Sequence, residues 1–141
     1  MDVKSSPVKF YVQRSSSFNL KNVPIPFEVE TLNDGGAMNL KTGIFTAPRP
    51  GAYFFSFSGL GINGDLSVRL YVNDSHIGSG FSQMNWQTLS LQSTLQLKMG
   101  DKVSVRISHA GELWDKPNLD TQNYQRFTHF TGWSLQEYLD Y

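Results

Sequence analysis

The sequence predicts an all-β fold, a jelly-roll sandwich of about ten antiparallel strands. Three observations carry that prediction. Short segments alternate apolar and polar residues with period two, Gly, Pro, Asn and Asp turns separate them, and no segment carries a helical stripe, apart from a possible turn near Leu135–Tyr141. An immunoglobulin-type sandwich has similar strand statistics, so the pattern favours the jelly roll without excluding that rival.

Val8, Phe10 and Val12 alternate with Lys9, Tyr11 and Gln13. Residues 43–57 then read as strand, turn, strand. Pro48 and Pro50 cannot donate to a central ladder, and Gly51 accepts tight-turn geometry. Beyond the turn, Tyr53, Phe55 and Phe57 place three rings on one face. Leu66, Val68, Leu70 and Val72 alternate with Ser67, Arg69, Tyr71 and Asn73. Leu89, Leu91, Leu95 and Leu97 share a face with Ser93, opposite Thr88, Ser90, Gln92, Thr94 and Gln96. Val103, Val105 and Ile107 alternate with Lys102, Ser104 and Arg106, and the Met99–Lys102 connection makes these last two segments an antiparallel hairpin. Each is the pattern of a half-buried strand.

Bulk properties narrow the function. At 141 residues the chain is expected to be one domain, 1–141, with enough core to need no staple. It has no cysteine, which excludes disulfides, thiolate metal sites and a cysteine nucleophile. Twelve basic and twelve acidic residues cancel, against the clustered positive field expected of a nucleic-acid binder. No apolar run approaches a membrane span. Met1–Ser6 is too polar for a signal peptide, so the chain is read as either intracellular or an excised mature domain.

Catalytic and metal motifs are missing. His76, His109 and His129 form no HxH or HExxH spacing, no GxSxG elbow occurs, and the acidic residues are scattered. Ser15–Ser17 reads as a polar loop. No enzyme activity, metal or cofactor is therefore expected. Asn73-Asp74-Ser75 is an N-glycosylation sequon at a turn tip. Residues 111–126, the longest stretch without alternation, mix aromatics with amides and charges, a composition that suits recognition of polar ligands such as glycans or a partner surface. Trp114, Asp115, Asn118, Tyr124 and Arg126 from that stretch, with Trp86 from a second loop, are the candidate ligand-binding residues. A plain structural role for the tryptophans, pinning their loops to the sandwich, fits the same pattern.

Phe27, Asn33, Gly35, Met38, Phe45 after Thr42-Gly43, Gly51, Tyr53, Phe55 and Phe57 then form a spaced constellation. It resembles the C1q-type globular head domain, the trimeric jelly roll shared by complement, adiponectin-like and cerebellin-like proteins and related to tumour necrosis factor. Met38 departs from it, since the family prefers an aromatic or Leu there. Leu95–Val103 resembles the family's strand–Gly-Asp–strand hairpin, and Phe130-Thr131-Gly132-Trp133-Ser134-Leu135 its final strand. The likeness runs from about Val8 to Gln136. Phe27, Phe45, Gly51, Tyr53, Phe55 and Phe57 are read as structural core, so function is sought in the loops.

The resemblance implies a secreted, homotrimeric recognition module, innate-immune or lectin-like, binding carbohydrate, microbial-surface or protein ligands. An alternative within the superfamily is a cytokine-like or synaptic-organiser-like ligand, which would engage a receptor at the grooves between protomers. Some members bind calcium through carboxylates, but the corresponding positions here are Ser79, Gly80 and Gln87, so no calcium is expected there. In the family one sheet faces the threefold axis. Phe54 lies on the face of that sheet opposite the core, and an aromatic there is better explained by burial in a neighbour, with Tyr11 and Phe130 contributing.

Overall fold

Alternation of buried and exposed residues dictates strands throughout, and the computed structural model, which describes residues 7–83, 85–115 and 126–135, contains eleven of them. They are β1 (Lys9–Gln13), β2 (Val29–Asp34), β3 (Met38–Asn39), β4 (Ile44–Thr46), β5 (Gly51–Ile62), β6 (Leu66–Val72), β7 (Ser75–Ser82), β8 (Gln87–Leu97), β9 (Lys102–Ile107), β10 (Glu112–Leu113) and β11 (His129–Ser134). No helix occurs among the described residues.

The strands form two antiparallel sheets. One runs β2-β1-β11-β5-β8, with β10 continuing the β11 side of β5; the other runs β3-β4-β9-β6-β7. This order separates the jelly roll from the immunoglobulin-type rival, because β1 pairs with the last strand, Phe10 opposite Gly132. The longest pairing joins β5 to β8, from Gly51 opposite Leu97 to Gly61 opposite Gln87.

The core lies between the sheets. Phe10, Val12, Tyr53, Phe55, Phe57, Leu89, Leu91, Leu97 and Phe130 face inward from the first sheet, and Phe45, Leu66, Val68, Leu70, Val103, Val105 and Ile107 from the second. Phe27 and Ile25 fill the margin from the segment before β2. Tyr53 is buried to its hydroxyl, which donates to the Arg49 carbonyl at 2.7 Å and so pins the proline turn. Gly51, counted with the core and read as a turn glycine, opens β5 straight after the proline turn, half-buried and with φ of 146°. That region is open to glycine and little else.

The two ends of the sandwich differ. Pro7 and Leu135 lie together at one end, where Ser134 N–H donates to the Val8 carbonyl and Leu135 N–H to the Ala52 carbonyl. The turns at 47–50, 73–74 and 98–101 share that end, tied by Ala47 N–H to Asp101 and Gly100 N–H to Ala47. The loops at 62–65, 83–86 and 108–111 form the opposite end, farthest from where the described chain enters and leaves.

Gly43 tests the packing of this framework. Its φ is 71°, and a Cβ there would stand 1.9 Å from the backbone oxygen of Ile25, which has no freedom to yield. Gly43→Ala is expected to cost about 2 kcal/mol or more of unfolding free energy. Guanidinium titration measures this, and an unchanged midpoint would contradict the docking of Ile25 on the β3–β4 hairpin.

Candidate functional site

The end remote from both described termini carries an aromatic patch. Trp86 sits at the end of the β7–β8 loop and Trp114 follows β10, yet their rings meet edge to face with centroids 5.1 Å apart. Two backbone bonds bring them together: Trp86 N–H donates to the Gly61 carbonyl and Trp114 N–H to the Leu60 carbonyl, both at 2.8 Å. The end of β5 is thus the platform for both loops. Phe127 extends the patch, its ring 5.6 Å from that of Trp114.

Trp86 leaves 60 % of its surface in water and holds φ of 67°. A bulky residue in the left-handed region is an outlier, and an exposed indole gains little from burial in its own chain. Around it, Asn85 Oδ1 accepts from Asn63 N–H at 2.7 Å, and the Asn63 side-chain amide donates to Glu112. The patch therefore combines a flat apolar surface with a rim of amide and carboxylate groups. Sequence reasoning singled out the tryptophans but missed Asn63, Asn85, Glu112 and Phe127. The Asn63-Gly64 turn was the one available signal, and nothing local places it beside residue 112.

The other candidate residues separate. Asp115, expected to face a ligand, is instead buried at 1 % exposure, so this expectation is corrected. Its Oδ1 accepts from Phe127 N–H at 2.5 Å and Thr128 N–H at 3.4 Å, and its own N–H donates to Ser17 Oγ at 3.0 Å. Asp115 is a brace that ties the β10 end to the segment entering β11. Burial pushes its carboxyl above the usual carboxylate range, opposed by those hydrogen bonds and by the charge of Arg14. Arg14 is also buried; it bonds Glu28 at 2.8 Å and the carbonyls of Ser16 and Pro26, with its guanidinium 4.7 Å from the Phe18 ring. Burial lowers the Arg14 pKa and Glu28 opposes that effect. Arg126 is half-buried beside Phe127. Asn118 and Tyr124 lie outside the described residues.

Asn73 is exposed at the β6–β7 turn with φ of 54°. Its side-chain amide donates to Asp101 at 3.2 Å and its Oδ1 accepts from Lys102 N–H at 3.0 Å, so the sequon asparagine also joins two turns. Asp101 further accepts from Lys98 N–H, and chiefly for that reason its carboxyl is held below the usual range. Among the described residues no group of three His, Cys, Asp or Glu is placed to hold a metal. No helix there is long and apolar enough to cross a membrane.

The outer face of the first sheet is built in rows. Lys9, Trp133, Phe54 and Thr94 form one row, and Tyr11, Thr131, Ser56 and Gln92 the next. Phe54 is not left to water: the Trp133 ring of the same chain covers it at 4.7 Å. Phe130, expected at a subunit interface, is fully buried among Phe10, Phe27 and Phe57, because it shares the inward face of β11 with Gly132. That expectation is corrected. Trp133 and Leu135, each 41 % exposed, are the large apolar groups open on this face. Tyr11 lies on it as well, stacked on His129 with its hydroxyl 2.5 Å from Nδ1.

Known proteins agree with this architecture. The family profile of the C1q domain matches residues 9–135. Protein HP-25 homolog 2 of Bos taurus is 31 % identical over 131 residues, covering 89 % of this chain and 56 % of the relative. Complement C1q tumor necrosis factor-related protein 3 of Mus musculus is 29 % identical over 137 residues, covering 92 % of this chain and 52 % of the relative. The chain thus spans about half the length of these two relatives. The globular domain of the zebrafish complement 1qA protein superimposes with a TM-score of 0.68 at 23 % identity, over 89 % of this chain and 94 % of that one.

The brace at Asp115 makes a pH prediction. A carboxyl whose folded pKa is raised stabilises the fold below its unfolded value, and that contribution is lost as pH rises through the raised value. The stability of the native chain minus that of Asp115→Asn should therefore decline as pH climbs through and above the ordinary carboxylate range. Urea titrations at stepped pH measure the difference, and a flat or rising curve would contradict the burial cost.

Proposed function

The chain belongs to the C1q domain family, and on that premise we propose that it is a non-enzymatic, extracellular recognition domain that acts as a homotrimer and binds carbohydrate through its Trp86–Trp114 end. The meeting of these two indoles across a gap of loops carries the reading. A pyranose ring presents an apolar C–H face and a rim of hydroxyls. An exposed indole suits the first, and the amides of Asn63 and Asn85 with the Glu112 carboxylate suit the second. The backbone strain at Trp86 supports it, since such strain persists where the ring has work outside its own core.

Trimerisation completes the mechanism. A second and third copy covering the first sheet would bury Trp133 and Leu135 beside Phe54, leaving the polar rows of β5 and β8 to pack through hydrogen bonds. Three modest sites on one body then gain avidity on a repetitive surface without any new contact.

Two outcomes are expected. Glycan-array capture by the full chain should fall at least about tenfold in Trp86→Ala, equivalent to roughly 1.4 kcal/mol, with the circular dichroism spectrum unchanged. Equal capture, or no glycan bound by the native chain, would reject the site. Sedimentation equilibrium should give three times the 15.9 kDa chain mass, and Trp133→Glu should give one. A native monomer would reject the assembly.

A further inference from the structure

The second sheet carries an unusual pair on its outer face. Arg69 on β6 stands directly opposite Arg106 on β9. Val68, Leu70, Val105 and Ile107 beside them are fully buried, so alternation turns both guanidinium groups outward on one face. Like charges directly opposite in an antiparallel pair repel. Among the described residues the Arg69 side chain has no ion pair to offset this. Arg106 has its nearest carboxylate, Asp74, at 3.9 Å, and that side chain is fully exposed, so the contact is weak.

Arg106 is nevertheless oriented. Its guanidinium lies 4.2 Å from the Tyr71 ring centroid, and its Nε donates to Ser104 Oγ at 3.5 Å. Beside it the surface opens into a hollow of about 240 Å³ lined by Ile44, Asn73, Asp74, Lys102, Ser104 and Arg106. Lys102 and Arg106 bound the hollow from two points on one strand, about 13 Å apart at strand rise.

We propose that this strip is a second binding site, for the sulfate esters of a linear polysaccharide. A bidentate, pre-oriented guanidinium suits a tetrahedral oxyanion, and the Arg69–Arg106 repulsion is relieved when an anion lies between or beside them. Ser67 and Tyr71 flank Arg69 along β6, and the buried Ser104 holds Arg106 from between Lys102 and Arg106 on β9. A chain of spaced sulfates and hydroxyls matches that order, whereas a single phosphate headgroup would use only one end of it. The site stands on the opposite sheet from Trp133, and its hollow lies at the opposite end of the sandwich from Trp86. It is therefore independent of the carbohydrate reading above.

The probe is a size-defined heparin octasaccharide, titrated calorimetrically into the full chain prepared without N-glycans. The native chain should bind, Arg106→Gln and Lys102→Gln should each weaken binding about tenfold, and Asp74→Asn should strengthen it severalfold. Lys9→Gln, a charge removed from the first sheet, should leave it unchanged. If Arg106→Gln fails to fold, the gain from Asp74→Asn still decides the matter. The proposal is overturned if the octasaccharide does not bind, if Lys9→Gln costs as much as Lys102→Gln, or if anionic phospholipid vesicles bind through Lys102 and Arg106 while the octasaccharide does not.

Discussion

Rings meeting rings across the gap between two sheets hold this molecule together. Phe10, Phe55 and Phe130 from the first sheet and Phe45 from the second form one continuous layer, with centroid separations between 5.1 and 6.3 Å. Two of these pairs are edge to face, an arrangement worth about 0.5–1.5 kcal/mol each beyond the area they bury. Gly132 makes the layer possible. A Cβ there would stand 2.7 Å from both Phe10 and Phe55, so the last strand can pass over the rings only without a side chain. The loops carrying Trp86 and Trp114 are both anchored to β5, a strand that this layer fixes.

The aromatic layer was legible in the sequence because each ring sits on a strand with clean alternation. Phe27, Phe45, Tyr53, Phe55 and Phe57 are all buried as period two requires. The strands that alternation did not reveal have physical reasons for lacking it. β2 lies at a sheet edge with no buried residue. β7 packs through backbone rather than side chains: a Cβ on Gly80 would come 2.9 Å from the Ser90 carbonyl oxygen, so glycine and serine stand where a greasy stripe would be expected.

The site was legible in part. Exposed tryptophans in loops advertised themselves by type, but contact between positions 86 and 114 depends on two bonds to the end of β5 that no local pattern encodes. Asp115 read as a loop acid because its neighbours are polar. Its burial follows from Ser17, nearly a hundred residues earlier, and from the backbone at 127–128. Phe54 read as an unpaired ring because the register that sets Trp133 opposite it is a property of the sheet. Parity along β11 would have shown that Phe130 points the other way.

Nuclear magnetic resonance of the full chain, titrated with a glycan that it captures, tests the proposed placement of recognition at one rim of a stiff sandwich. The indole Nε1–H signals of Trp86 and Trp114 should shift together on titration, while the ring signals of Phe10, Phe55 and Phe130 stay in place. Shifts confined to the outer face of either sheet, with both indoles unmoved, would contradict it.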